Sequence, residues 1–136
     1  MLTGYETFIG YSDVKSLPVY FFVQKSVSQS VLGRVPFEVT NLDIGGAMNA
    51  SSGTFTAPRS GIYSFAFTGL GYYPASTGET RLRMALMLND SEIGRILEHT
   101  QEDGTYQTFS LNTAVELKVG DQVWLKIIEA SNGVVL

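Results

Sequence analysis

The chain has no cysteine in its 136 residues. That excludes disulfides, thiolate metal sites and cysteine nucleophiles together. It does not exclude an extracellular setting, because a domain of this size can be stable without staples. A single histidine, His99, has no Ser-His-Asp arrangement around it, and no Gly-X-Ser-X-Gly element occurs. Charge is sparse and leans acidic: nine basic residues stand against thirteen acidic ones, for a net charge of −4. Only Arg81 and Arg83 form a local basic pair, so a stripe that could track a nucleic acid is missing and none is expected as a partner. No apolar run approaches the roughly 18–20 residues of a membrane span, so membrane insertion is not expected. Met1, Leu2, Thr3 and Gly4 lack the basic start and apolar run of a signal peptide. Nor does an apolar i, i+3, i+4, i+7 pattern persist behind a cap, so no helix is predicted. Without a helix, Gly45-Gly46 reads as a strand bulge or loop and not as a phosphate cradle. These absences together argue against an enzyme.

What the chain does have is strand periodicity. It is 44% hydrophobic with fourteen glycines and four prolines, enough for one packed domain over 1–136 with loop punctuation. Leu82, Met84, Leu86 and Leu88 alternate with Arg81, Arg83, Ala85 and Met87, ending at Asn89-Asp90-Ser91. Gly61 opens a second run in which Tyr63, Phe65 and Phe67 alternate with Ser64, Ala66 and Thr68. Val115, Leu117 and Val119 lead into Gly120-Asp121, and Val123, Leu125 and Ile127 alternate onward, which predicts a hairpin. Val19 to Val23, Phe37 to Val39, Ile93 to Leu97 and Gln107 to Leu111 supply further short strands. The expectation is an all-β antiparallel sandwich. Met87 lies opposite the leucine row, and Trp124 and Ile128 lie opposite the Val123 row, so some strands carry bulky apolar residues on both faces. An outer face of that kind points to packing against another subunit.

The stretch from Phe37 to Phe67 resembles the globular head domain of complement C1q and its relatives. The family pattern begins with Phe and has Asn or Asp six positions on, here Phe37 and Asp43. Met48 stands where an aromatic residue or Leu is usual, and Phe55, Gly61, Tyr63, Phe65 and Phe67 follow at the family spacing. Thr54-Phe55-Thr56-Ala57-Pro58 and Val119-Gly120-Asp121-Gln122-Val123-Trp124-Leu125 are similar to the family's wording, and the likeness covers roughly residues 17 to 136. It implies a C1q/tumour necrosis factor-like jelly roll that is homotrimeric, secreted and non-enzymatic. It further implies multivalent binding of carbohydrate or microbial-surface ligands in innate immunity, in the manner of a lectin. A cytokine-like receptor ligand or a structural assembly head is the alternative. In that frame Phe55, Tyr63, Phe65, Phe67, Met87, Trp124 and Ile128 build the core or the trimer interface.

The family's closing strand is expected after the last hairpin, yet the chain stops at Gly133-Val134-Val135-Leu136. Near the N-terminus, Tyr5-Glu6-Thr7-Phe8-Ile9-Gly10-Tyr11 resembles that strand, and Ser12 to Ser16 reads as a short connection. A circularly permuted or rearranged order is therefore the preferred expectation, since compact domains tolerate permutation through adjacent termini; a truncated chain with a chance match, or a tail from a preceding tandem domain, is the alternative. For ligand binding the sequence offers two loops, Tyr72-Tyr73 and Glu102-Asp103. Glu102 and Asp103 align with a family loop that supplies calcium ligands in some members, so calcium is the one cofactor the resemblance allows. Asn49-Ala50-Ser51 and Asn89-Asp90-Ser91 fit the glycosylation pattern.

Overall fold

In a computed structural model the described residues are 19–29, 31–73, 80–100, 105–131, 134 and 136. They form ten strands: β1 Tyr20–Gln24, β2 Gly33–Arg34, β3 Val39–Ile44, β4 Met48–Asn49, β5 Thr54–Thr56, β6 Gly61–Tyr73, β7 Thr80–Leu88, β8 Ser91–Thr100, β9 Thr105–Leu117 and β10 Gln122–Ala130. No described helix is long and apolar enough to cross a membrane. The segment resembling the closing strand and its connection, residues 1–16, lies outside the described residues.

Every ladder is antiparallel. One wall has the order β4-β5-β10-β7-β8, with β2 also paired to β10. Two narrower ladders, β1-β3 and β6-β9, face it. The walls meet on rings. Phe55 in the large wall has its centroid 5.5 Å from Phe21 of β1, 5.4 Å from Tyr63 and 5.3 Å from Phe65 of β6. Phe67 and Phe109 pair 5.8 Å apart further along. Tilted and edge-on contacts of this kind add to the area each ring buries. Gly69 makes room for the second pair, since a Cβ there would lie 2.7 Å from the Phe109 ring.

The alternations place side chains as expected. Leu82, Met84 and Leu86 are buried with Tyr63, Phe65, Phe67, Val123, Leu125 and Ile127 in one core. Asn89, at φ 51°, turns β7 into β8. The left-handed Gly45 and Gly46 make the turn after β3, the loop option of the two expected for them.

Three expectations are corrected. The turn at Gly120-Asp121 does not close a hairpin: β9 pairs with β6, whereas β10 pairs with β7 and β5. Gly120 has φ 90° and reverses the chain, and backbone hydrogen bonds of 2.8 Å join Gly120 and Asp121 to Ala57. The reversal therefore carries the chain from one wall to the other. Asn89 ties this turn to the β7–β8 turn: its side-chain amide donates to Asp121 at 3.2 Å, and its carbonyl accepts from the Gln122 amide at 3.0 Å. The Asp121 carboxylate, which accepts the Lys118 amide and the Asn89 side chain, is held below the usual aspartate range. Second, the segments read as 107–111 and 115–119 are not separate: one strand runs through both as far as Leu117, because Asn112 and Thr113 stay in register opposite Ala66 and Phe65, and Val119 lies beyond its end. Third, Phe37 is buried ahead of the strand it was expected to start. The strand is Val39–Ile44, with all six residues exposed.

Its position is held from outside the core. Glu38 accepts the Ser26 and Val27 amides at 2.8 and 3.0 Å and pairs with Lys25 at 3.2 Å. Desolvation pushes this carboxyl up, but those hydrogen bonds and the Lys25 charge outweigh it and leave it below the ordinary value.

The ring cluster yields the first prediction. Phe55→Ala empties the point where both walls meet and is expected to lower stability by about 3–5 kcal/mol, read as a lower urea midpoint with a native-like far-ultraviolet spectrum below it.

Candidate interaction surface

Parity along β6 and β9 divides core from surface. Odd-numbered β6 residues from Tyr63 to Phe67 point inward. The even-numbered ones, Ile62, Ser64, Ala66, Thr68, Leu70 and Tyr72, lie opposite Glu116, Ala114, Asn112, Ser110, Thr108 and Tyr106. Directly opposed residues share a face, so these pairs make one outer surface, and Glu116 at its end is the only charged side chain among them. The middle is small, with a shallow depression around Ser64, Ala66, Asn112 and Ala114. The ends are large: Ile62 is 60% exposed and Leu70 is 50% exposed, while Tyr106 is 67% exposed and packs tilted against Tyr72 with centroids 4.9 Å apart.

The expected binding residues fare differently from one another. Tyr72 is half-buried on this outer face. Tyr73, one residue on, points inward and is 0% exposed, which corrects the reading of both tyrosines as an exposed loop. Burial, with a smaller contribution from the Glu98 charge, pushes the Tyr73 hydroxyl up to about 12. Among the described residues that hydroxyl has no hydrogen-bond partner. Glu102 and Asp103, and with them the calcium loop, lie outside the described residues. Of the glycosylation candidates, Asn49 accepts hydrogen bonds from Ser51 and Ser52, and Asn89 is the turn clasp already described.

The expected interface residues also separate. Phe55, Tyr63, Phe65 and Phe67 are core. Trp124 does face outward, but the chain covers it itself: the Arg34 guanidinium lies 4.0 Å over the indole and donates to the Thr54 hydroxyl at 2.9 Å. Thr54 is the cross-strand neighbour of Trp124 and Arg34 that of Lys126, so a short cationic strap crosses the indole. This corrects Trp124 as a residue open to another subunit. Met87 and Ile128 beside it are half-buried. The sequence reading looked for bulky apolar residues on outer faces and so passed over the β6–β9 surface. Its signal was the uncharged alternate positions Ser64, Ala66 and Thr68.

Two antiparallel walls joined by connections that cross between them define a jelly-roll β-sandwich. The family model for the C1q domain matches residues 19–135, and the chain belongs to that family. Mouse multimerin-2 is 27% identical over 116 residues, which is 84% of this chain and 11% of that protein. Complement C1q tumor necrosis factor-related protein 2 is 32% identical over 93 residues in both mouse and human, covering 68% of this chain and 29% and 30% of those proteins. The chain thus spans between 11% and 30% of the length of these curated relatives. Among solved structures, the globular domain of zebrafish complement 1qA protein matches with a TM-score of 0.57 at 19% identity, over 79% of this chain and 82% of that one. At that identity the likeness is one of fold.

Tyr73 gives the second prediction. Its folded pKa lies above the ordinary value of 10, so its contribution to stability is complete below pH 10 and is lost as pH rises through 12. Tyr73→Phe keeps the ring and removes a buried hydroxyl that has no hydrogen-bond partner among the described residues. The variant is expected to match or exceed the parent at pH 7 by up to ~1 kcal/mol, and to lose less thermal stability between pH 10 and 12. Melting curves across that range check it.

Proposed function

We propose that this domain is a non-catalytic head that assembles as a homotrimer through the outer face of β6 and β9 and binds its ligand multivalently. The observation that carries the reading is an outer face charged only at Glu116 on its margin, with a small-residue centre and large apolar or aromatic residues at its ends. Charge depletion with aromatic enrichment marks the centre of a protein interface better than bulk hydrophobicity does. Ser64, Ala66 and Ala114 let a second backbone come close, and Tyr72 and Tyr106 offer rigid rings at the end. Closed cyclic symmetry is the usual way for copies of one chain to hide such a surface, and membership of the C1q-domain family supports three copies. Three equivalent sets of loops then turn weak single contacts into avidity where the ligand repeats. Carbohydrate or microbial-surface ligands outside the cell fit that geometry.

Two measurements check this. Light scattering should give three times the chain mass of 14.9 kDa. Ala66→Arg, which places a charge at the centre of the surface without touching the core, should shift the particle to monomer with an unchanged circular dichroism spectrum. A stable monomer for the parent at micromolar concentration rejects the trimer.

Binding to immobilised glycans or lipopolysaccharide is the third measurement. It should be strong for the parent and weakened by at least about tenfold in Ala66→Arg, because avidity goes with the trimer. A trimer with no such binding leaves the receptor-ligand or structural assembly reading.

A further inference from the structure

A row of side chains crosses the outer face of the large wall. Arg34 of β2 lies opposite Lys126 of β10, Lys126 opposite Ala85 of β7, and Ala85 opposite Arg95 of β8. Arg83 and Arg81 lie along β7 on the same face, because Met84 and Leu82 beside them are buried in the core. Five of the chain's nine basic residues therefore share one face. They stand against two carboxylates, Glu92 opposite Met87 and Glu129 opposite Arg83. The chain as a whole carries −4, so the fold gathers cations that its composition makes scarce. Neighbours across a sheet come from distant parts of the chain, which is why the sequence shows only the pair Arg81 and Arg83.

The row is unfavourable as it stands. Arg34 and Lys126 are like charges set directly opposite one another, about 5 Å apart at Cβ, and such pairs destabilise a ladder. The two carboxylates are engaged elsewhere: Glu92 takes the Arg95 guanidinium at 2.6 and 3.1 Å, and Glu129 is the neighbour of Arg83. Arg34 spends its guanidinium on the Trp124 ring and the Thr54 hydroxyl. Lys126 is exposed and has no side-chain partner among the described residues. An oxyanion seated between Arg34 and Lys126 turns their repulsion into two attractions.

We infer that this face docks a sulfated polysaccharide, with one sulfate group bridging Arg34 and Lys126 and the next along the chain meeting Arg95 and Arg83. The cations span three strand spacings, about 14 Å, so they suit a chain of repeated anions better than a single ion. A sulfate ester offers three terminal oxygens and can take donors from two strands at once. Four of the five cations are arginines, whose planar forks match oxyanions. The same face suits other polyanions poorly. Its one aromatic ring, Trp124, is covered by Arg34, which leaves nothing for nucleic-acid bases to stack on. Leu97 is the one large apolar side chain exposed among these positions, too little to enter a membrane interface. This inference deepens the multivalent-binding reading by naming a ligand and the face it meets, and it rests on that reading for avidity alone.

Immobilised heparin is the probe. The parent should be retained at low salt and released as salt rises, and chemically desulfated heparin should bind at least about tenfold more weakly. Lys126→Gln should weaken heparin binding about tenfold, the loss expected for one charge-assisted hydrogen bond. Lys126→Arg should restore it, and Lys126→Glu should weaken it further. Lys118→Gln removes an exposed cation at the turn after β9, away from this face, and should change nothing. An unretained parent overturns the inference, as does binding that survives Lys126→Glu or desulfation. Equal affinity at the same salt for duplex DNA, or for vesicles of anionic phospholipid, overturns it too. Ala66→Arg keeps the two readings apart, because its heparin binding should be weaker overall yet show the same ratio on adding Lys126→Gln. A monomeric parent that loses heparin through Lys126→Gln rejects the trimer alone. A trimer that binds glycans and is indifferent to Lys126 rejects this inference alone.

Discussion

The meeting of Phe55 with Phe21, Tyr63 and Phe65 is the contact on which the rest of the structure depends. Those four rings come from β5, β1 and β6, which belong to three different ladders, and among the described residues no ladder pairs any two of these strands. The sandwich is therefore held across its thickness by ring packing, and within each wall by ladders. Because a strand exposes side chains alternately, fixing Tyr63 and Phe65 inward also fixes Ser64 and Ala66 outward. Core and outer surface are set by the same act of register. A one-residue slip in β6 would bury Ser64 and Ala66 and expose three aromatic rings.

This coupling explains what could be read from the sequence. Inward rows such as Leu82, Met84 and Leu86 announce themselves, because burial on one face and exposure on the other leaves a period of two. The spaced aromatics from Phe55 to Phe67 made the family legible for the same reason. Other features depend on partners distant in sequence. Gly120-Asp121 has the chemistry of a tight turn and is one, but turn chemistry fixes only the reversal. Which strands then bond is decided by the walls, and β9 and β10 belong to different ones. Trp124 reads as an outer apolar residue and lies on the outer face. Its cover comes from Arg34, ninety positions earlier, in a two-residue strand that has no periodicity to detect.

The tyrosine pair at the end of β6 shows how narrow the margin is. Tyr72 and Tyr73 are chemically identical and adjacent, and a turn-rich sequence after them reads as a loop. Because β6 continues through both residues, parity separates them: one ring packs tilted against Tyr106 at the surface, and the other is sealed in the core, its hydroxyl without a hydrogen-bond partner among the described residues. The Tyr73 ring packs where glycine leaves room. A Cβ on Gly71 would sit 3.1 Å from the Tyr73 ring.

The same parity separates stability from recognition. Substitutions at the even positions of β6 and β9 change what the outer face offers and leave the ring cluster untouched, whereas odd positions act on the core. Such a surface can change its partners without a change of fold, which is how one sandwich comes to serve unrelated recognition tasks. The arrangement also limits where charge is tolerated. Glu116 lies at the end of the face, opposite Ile62, where solvent can still reach a carboxylate. The same charge at the position of Ala114 or Asn112 would lie in the depression, where a second copy would strip away its water. That only Glu116 of the twenty-two charged residues in the chain lies among these positions is the pattern expected where a surface is built to be covered.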